Sequence, residues 1–137
     1  DEFQHWVYAN PDVSPDERAA FWSQLERKYL PHRKYSTSQG SFPYFKSGRF
    51  WQRQAHIFSR PFYYIDYCLA QVCALQFWHK AEQDRDIALR DYRHLCGLGG
   101  TLPFTKLVDE AQLTNPFTKG VLLEVLTTVQ KYLKTNT

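Results

Sequence analysis

Neither glycine nor proline occurs between Pro61 and Gly97, and from Phe62 to Trp78 apolar side chains fall on every side of the helical period. Strong polar interruptions come only at Asp66, Gln71 and Gln76. A surface helix keeps a polar stripe, whereas one that is apolar all round is normally covered on all sides. The pattern predicts a long, central, buried helix opened by Pro61, whose fixed φ suits the first helical position and whose missing N–H is no loss there. A membrane span needs roughly 20 predominantly apolar residues. This run is broken too often for that, by those three polar residues and by Tyr63, Tyr64 and Tyr67.

The flanking segments repeat the helical period in shorter pieces. Phe3, Trp6 and Val7 recur at helical spacing until Asn10-Pro11 stops them. Ser14-Pro15-Asp16-Glu17 supplies an N-cap, a proline at the first helical position and a glutamate three residues after the cap, opening a helix to about Tyr29. Phe21, Trp22, Leu25 and Tyr29 form its apolar stripe, and Pro31 ends it. The polar residues from His79 to Asp84 predict a break. Ile87, Leu89, Tyr92 and Leu95 then predict an amphipathic helix to Gly97, with Gly99-Gly100 as the closing turn.

Thr101-Leu102-Pro103 opens a short helix through Ala111, and Thr114-Asn115-Pro116 opens the last, which encloses Gly120 and runs through Val121, Val125, Val129 and Leu133. Residues 32–48 read as a long loop anchored by Tyr35, Phe42, Tyr44 and Phe45, with a short helix at Phe50, Trp51 and Gln54 leading to His56. No stretch alternates as a strand ladder would. The expected fold is all-α, a single domain over residues 1–137: an irregular helical bundle around a central buried helix, with a long aromatic loop before it.

Aromatic residues make up 17% of the chain, enough to build an interior on rings and to weigh against disorder. Seventeen Lys and Arg against fourteen Asp and Glu leave a net charge of +3. The cations are scattered except at Arg27, Lys28, His32, Arg33 and Lys34, where a helix end is expected, so neither nucleic acid nor a membrane is an expected partner. Cys68, Cys73 and Cys96 are odd in number and read as buried free thiols; with no signal peptide, a reducing cytoplasmic setting is expected. No Cys-x-x-Cys or His-x-x-x-His pattern occurs, so no self-contained zinc motif is present. The start at Asp1 inside a helical pattern, and the absence of Met, suggest a piece cut from a longer chain.

Candidate chemistry gathers at the start of the long helix. Tyr63, Tyr64 and Tyr67 stand at spacings that bring their hydroxyls onto neighbouring parts of one face. They are either large core residues with locally satisfied hydroxyls, or a row of phenol donors aimed into a cleft, with His56 delivered by the preceding loop. Phenols and imidazole suit a developing oxyanion. His5 reads as an ordinary hydrogen-bonded imidazole at the core boundary.

These segments also carry a resemblance. Asp1-Glu2-Phe3-Gln4-His5-Trp6-Val7-Tyr8, Phe50-Trp51-Gln52-Arg53-Gln54, His56 through Tyr67 with Leu69-Ala70-Gln71, and Gly99-Gly100 with Pro103-Phe104 and Leu107 together resemble oligoendopeptidase F and its relatives among the thimet-oligopeptidase-like zinc peptidases. In that family zinc is held by a His-Glu-x-x-His helix and a downstream glutamate, none of which is in this sequence. The resemblance therefore implies the C-terminal part of a zinc metalloendopeptidase catalytic domain that hydrolyses short peptides, with zinc in the full-length parent and none on this piece.

Carried over position by position, the resemblance has His56 and Tyr67 donating to the scissile carbonyl oxygen, Tyr64 holding substrate or assisting, and Tyr63 lining the substrate. The implied partners are an oligopeptide substrate and the upstream part of the same domain, with self-association of the severed piece. From another class, the same features fit a non-catalytic all-helical interaction module whose aromatic loop and tyrosine helix pack on a partner. A His-Glu-x-x-His helix upstream of Asp1 would discriminate between them.

Overall fold

The computed structural model describes residues 1–37 and 40–136 and is all-α, apart from one two-residue ladder. The chain divides into two units, Asp1–Ile65 and Asp66–Thr137.

The first unit is built on aromatic packing between α1 (Glu2–Ala9) and α2 (Pro15–Tyr29). Phe3 is buried, edge-on to Trp22 with centroids 5.1 Å apart and 5.0 Å from Trp51, while Trp6 stacks on Phe21 at 4.2 Å. α2 starts where the sequence predicts. Ser14 accepts from the Glu17 N–H at 3.2 Å and its own N–H donates to the Glu17 carboxylate at 2.7 Å, which holds that carboxyl below its usual range.

The expected long loop contains regular structure. Ser36–Thr37 (β1) pairs antiparallel with Gly40–Ser41 (β2), and Pro43–Lys46 forms α3. The absence of any strand ladder is thus corrected by this short pairing, too brief to show as alternation in the sequence. The part of the loop at residues 38–39 lies outside the described residues. Its anchoring by rings is as expected, since Phe45 packs against Tyr35, Phe42, Tyr44 and Phe50. Gly48 brings the chain back onto α2 at φ +70, where a Cβ would stand 2.0 Å from the Ala19 carbonyl oxygen.

The second unit contains α5 (Ile65–Gln83), α6 (Arg85–Leu98), α7 (Phe104–Glu110) and α8 (Val121–Asn136). The predicted break after Trp78 falls at Asp84, whose carboxylate caps α6 by accepting from the Asp86 and Ile87 N–H groups at 3.0 Å. Buried Ala88, Val108, Ala111, Val121 and Val125 form the core. Polar links hold α5 to it: Gln76 exchanges two hydrogen bonds with the Thr114 backbone at 2.9 and 2.8 Å, His79 meets the Thr128 hydroxyl at 2.9 Å, and Lys80 pairs with buried Asp91.

Three expectations are corrected in this unit. No residue of α5 is fully buried, so the helix is not the buried centre of a bundle. Its apolar character is all-round, but at its N-terminal end Asp66, Tyr67, Cys68, Ala70 and Gln71 are exposed, while Gln76 and Lys80 bond to the rest of the unit. The cysteines follow: all three are free, yet Cys68 and Cys96 are exposed and only Cys73 is half-buried, its thiol pushed up by that burial. Gly120 stands before α8 rather than within it, at φ +99. The Asn115 side chain takes the Phe117 N–H at 3.0 Å, so Asn115-Pro116 makes a turn instead of a helix start.

Two outcomes follow. Gly48→Ala adds both a left-handed backbone cost and a clash with backbone that cannot swing away, so unfolding should come about 2–5 kcal/mol earlier by urea titration. Asp91 sits below the usual carboxylate range because Lys80, and then Arg90, donate to it. A carboxyl whose folded pKa lies below its unfolded value stabilises fully above that ordinary value of about 3.9, and the contribution is lost as pH falls through the lower folded pKa. Asp91→Asn should therefore be less stable than wild type at neutral pH and show a flatter acid limb in melting temperature between about pH 5 and pH 2.

Candidate active site at a helix break

The candidate residues sit where a helix is interrupted, not along one. α4 (Ala55–Ser59) carries His56, and α5 begins only at Ile65, with Pro61 to Tyr64 in turn conformation between them. The expected helix start at Pro61 is corrected for a reason that lies one turn upstream. A helix already runs through Ile57, whose carbonyl would take the N–H of residue 61. Pro61 has none. Arg60 N–H closes the last turn on the His56 carbonyl at 2.9 Å, and the chain then reverses through Phe62 at φ +60, a left-handed conformation that costs a bulky residue roughly 1–2 kcal/mol.

The break is completed from α1. Gln4 is 3% exposed, and its side-chain amide reaches both ends of the interruption: Nε2 donates to the Ile57 carbonyl at 3.4 Å and Oε1 accepts from the Phe62 N–H at 3.3 Å. Each such backbone group left buried and unpaired would cost about 1–3 kcal/mol. The Phe62 ring lies 4.5 Å from that of His5 and 5.4 Å from that of Tyr8, both on α1. His5 is exposed, not at the core boundary, and pairs with Asp1 at 3.4 Å.

This turn brings three of the four candidate residues together. The His56 ring stacks on Tyr63, centroids 4.7 Å apart and nearly parallel, and stands edge-on to Tyr64 at 5.3 Å. Tyr64 donates its hydroxyl proton to Gln54 Oε1 at 2.7 Å, and His56 Nδ1 lies 3.3 Å from the same hydroxyl oxygen. A tyrosine hydroxyl has one proton. With that proton on the Gln54 bond, the oxygen accepts from Nδ1–H, which fixes the imidazole tautomer and leaves Nε2 as an acceptor when neutral and a donor when protonated. His56 therefore lies on a short helix instead of a loop, and Tyr63 and Tyr64 in the turn instead of on the long helix. Tyr67 is on α5 in the second unit, 55% exposed.

Gln4, Gln54 and Phe62 were not singled out by sequence reasoning. The usable signal was the spacing of Ile57 and Pro61, which orphans one carbonyl, together with a glutamine next to Phe3 on the apolar side of a short helix that also carries Glu2 and His5. Among the described residues no three His, Cys, Asp or Glu side chains gather where they could hold a metal ion. One imidazole and two phenols do not fit a zinc ion, which takes four nitrogen, sulfur or carboxylate ligands in structural sites and three in catalytic ones.

The helix break thus brings an oriented imidazole and two phenols together in an all-α chain. Residues 1–125 match the model of peptidase family M3. The chain belongs to that family. It is similar to a solved oligoendopeptidase F obtained from crystals grown by microfluidic seeding, with 51% identity and a TM-score of 0.83 over 97% of this chain. PZ peptidase A, solved with an inhibitor, is 45% identical at a TM-score of 0.85 over 98% of the chain, and an oligoendopeptidase F from Bacillus anthracis str. Ames is 41% identical at 0.71 over 98%. The chain spans 23%, 23% and 20% of those three chains' own lengths. No curated protein sequence matches it.

Proposed function

We propose that this chain is the C-terminal helical part of the catalytic domain of an oligoendopeptidase F-like zinc metalloendopeptidase, and that it supplies the donors that stabilise the transition state of short-peptide hydrolysis. The observation that carries the proposal is the hydrogen-bonded run His56–Tyr64–Gln54, which holds one imidazole in a fixed tautomer with Nε2 left to act. A carbonyl under attack becomes an oxyanion, and preorganised N–H and O–H donors aimed at that oxygen favour the charged state over the neutral one. His56, as imidazolium, and the Tyr67 hydroxyl are the two donors; Tyr64 orients His56 and assists; Tyr63, stacked on the imidazole, lines the substrate.

Zinc belongs to the parent enzyme, with its ligands outside this chain, and none of the roles given to these residues depends on holding it. The upstream part of the catalytic domain is the expected partner. Exposed Leu122, Leu123 and Leu126 on α8 fit such a covering surface, and in its absence the same face favours self-association. No helix among the described residues is long and apolar enough to cross a membrane, and a reducing cytoplasmic compartment suits three free cysteines.

The decisive experiment is steady-state kinetics on Tyr67→Phe in the full-length parent. Loss of one oxyanion donor typically costs roughly 10²–10³ in kcat, with KM moving far less because the ground-state carbonyl takes a weaker bond. Tyr67→Phe keeps the ring, so the melting temperature should hold; near-normal kcat in the folded, zinc-loaded variant would sink the assignment. The 137-residue chain on its own should bind no stoichiometric zinc by metal analysis and cleave no peptide, and one tightly held zinc per chain would overturn the division of the site.

A further inference from the structure

We propose that Gln4 is a positioning residue for the active site, a side-chain amide that stands in for the two hydrogen bonds lost at the Pro61 helix break and so sets where Tyr63 and Tyr64 sit against His56. The inference rests on the functional reading above and adds to it a residue on α1, 52 positions from His56.

The hydrogen-bond inventory carries it. Continuing α4 past Pro61 would need a donor for the Ile57 carbonyl, which proline cannot give. It would also keep Phe62 in right-handed backbone. Instead Phe62 turns left-handed, and both loose ends, the Ile57 carbonyl and the Phe62 N–H, are taken by the two ends of one planar amide. An amide has its donor and acceptor at a fixed separation, so it fixes the distance between residues 57 and 62. Between those two points lies the reversal that brings Tyr63 back over the His56 ring at 4.7 Å and Tyr64 to 3.3 Å from Nδ1. Gln4 is itself held from behind. Its neighbour Phe3 is locked among Phe21, Trp22 and Trp51, and His5 and Tyr8 of the same helix contact the Phe62 ring. α1 therefore acts as a template for the corner.

A leucine at position 4 fills nearly the same volume and forms neither bond. The corner then has two unpaired backbone groups and a left-handed phenylalanine with nothing to hold it, and the stack on His56 loosens. Misplacement of reacting groups by an ångström costs up to about 10²-fold in rate.

The test compares Gln4→Leu with Val125→Ala in the full-length parent enzyme. Val125→Ala removes buried volume from the core of the second unit and takes nothing from α1 or its aromatic packing. Both should lower the melting temperature. Only Gln4→Leu should lower kcat, by roughly 10–10²-fold with KM within about twofold. A second readout is independent of catalysis. In enzyme labelled with [13Cε1]histidine, the Cε1 proton of His56 belongs to a ring stacked on Tyr63 and should feel its ring current. Gln4→Leu should move this resonance toward its unstacked position, and Val125→Ala should leave it in place.

An unmoved His56 resonance in folded Gln4→Leu overturns the proposal, as does a kcat loss no larger than that of Val125→Ala at matched stability. If His56→Ala and Tyr67→Phe turn over normally, the functional reading itself fails. If those two are impaired while Gln4→Leu behaves as wild type, only the role of Gln4 fails.

Discussion

One missing hydrogen decides the local architecture. Pro61 has no N–H, so the Ile57 carbonyl cannot be satisfied within its own helix, and a carbonyl partly shielded from water needs another partner. The chain solves this with an amide from 53 residues away, Gln4 bonding to Ile57. A short α4 in place of a through-helix, a left-handed Phe62 and the His56–Tyr63 stack are all consequences of that solution. The constraint also runs outward. Gln4 can reach only because α1 lies against the aromatic core made by Phe21, Trp22 and Trp51.

The second unit uses the same device without any reactive group nearby. Gln76 on α5 donates to the Thr114 carbonyl and accepts the Thr114 N–H, pinning the turn between α7 and α8 as Gln4 pins the turn before α5. A glutamine amide suits the task because it is neutral, offers both a donor and an acceptor, and costs less to bury than a charge. Where this unit does bury a charge, at Asp91, two cations meet it, Lys80 and Arg90. That agrees with the rule that a buried ion must be paired and hydrogen-bonded.

Much of the fold was legible in the sequence because its signals are local. The Ser14 capping box, the break at Asp84 and the Gly99 stop each depend on a few neighbouring residues, and each formed where the pattern placed it. The start of the long helix was not legible, because a proline that opens a helix and one that ends the preceding helix look alike until the residue at i−4 is known to be helical. Nor was the exposure of α5. An apolar pattern states that cover is needed, and it cannot state whether the same chain provides it. For the site, residue types and their grouping around His56 could be read directly, whereas Gln54 and Gln4 could not, since their partners are a phenol and backbone atoms far off in sequence.

Proton counting then separates roles that spacing alone had merged. Tyr63, Tyr64 and Tyr67 looked equivalent as a row of phenols, but they differ in what their surroundings allow. Tyr64 commits its one proton to Gln54, so its oxygen is an acceptor toward His56 Nδ1. A group in that position orients a catalyst better than it donates to an oxyanion. Tyr63 presents a ring face to the imidazole, which fixes the ring plane. An imidazolium so held has Nε2–H as its remaining donor, and that atom is the one the proposed mechanism uses. Tyr67 stands on a different element from the other two, in the first turn of α5.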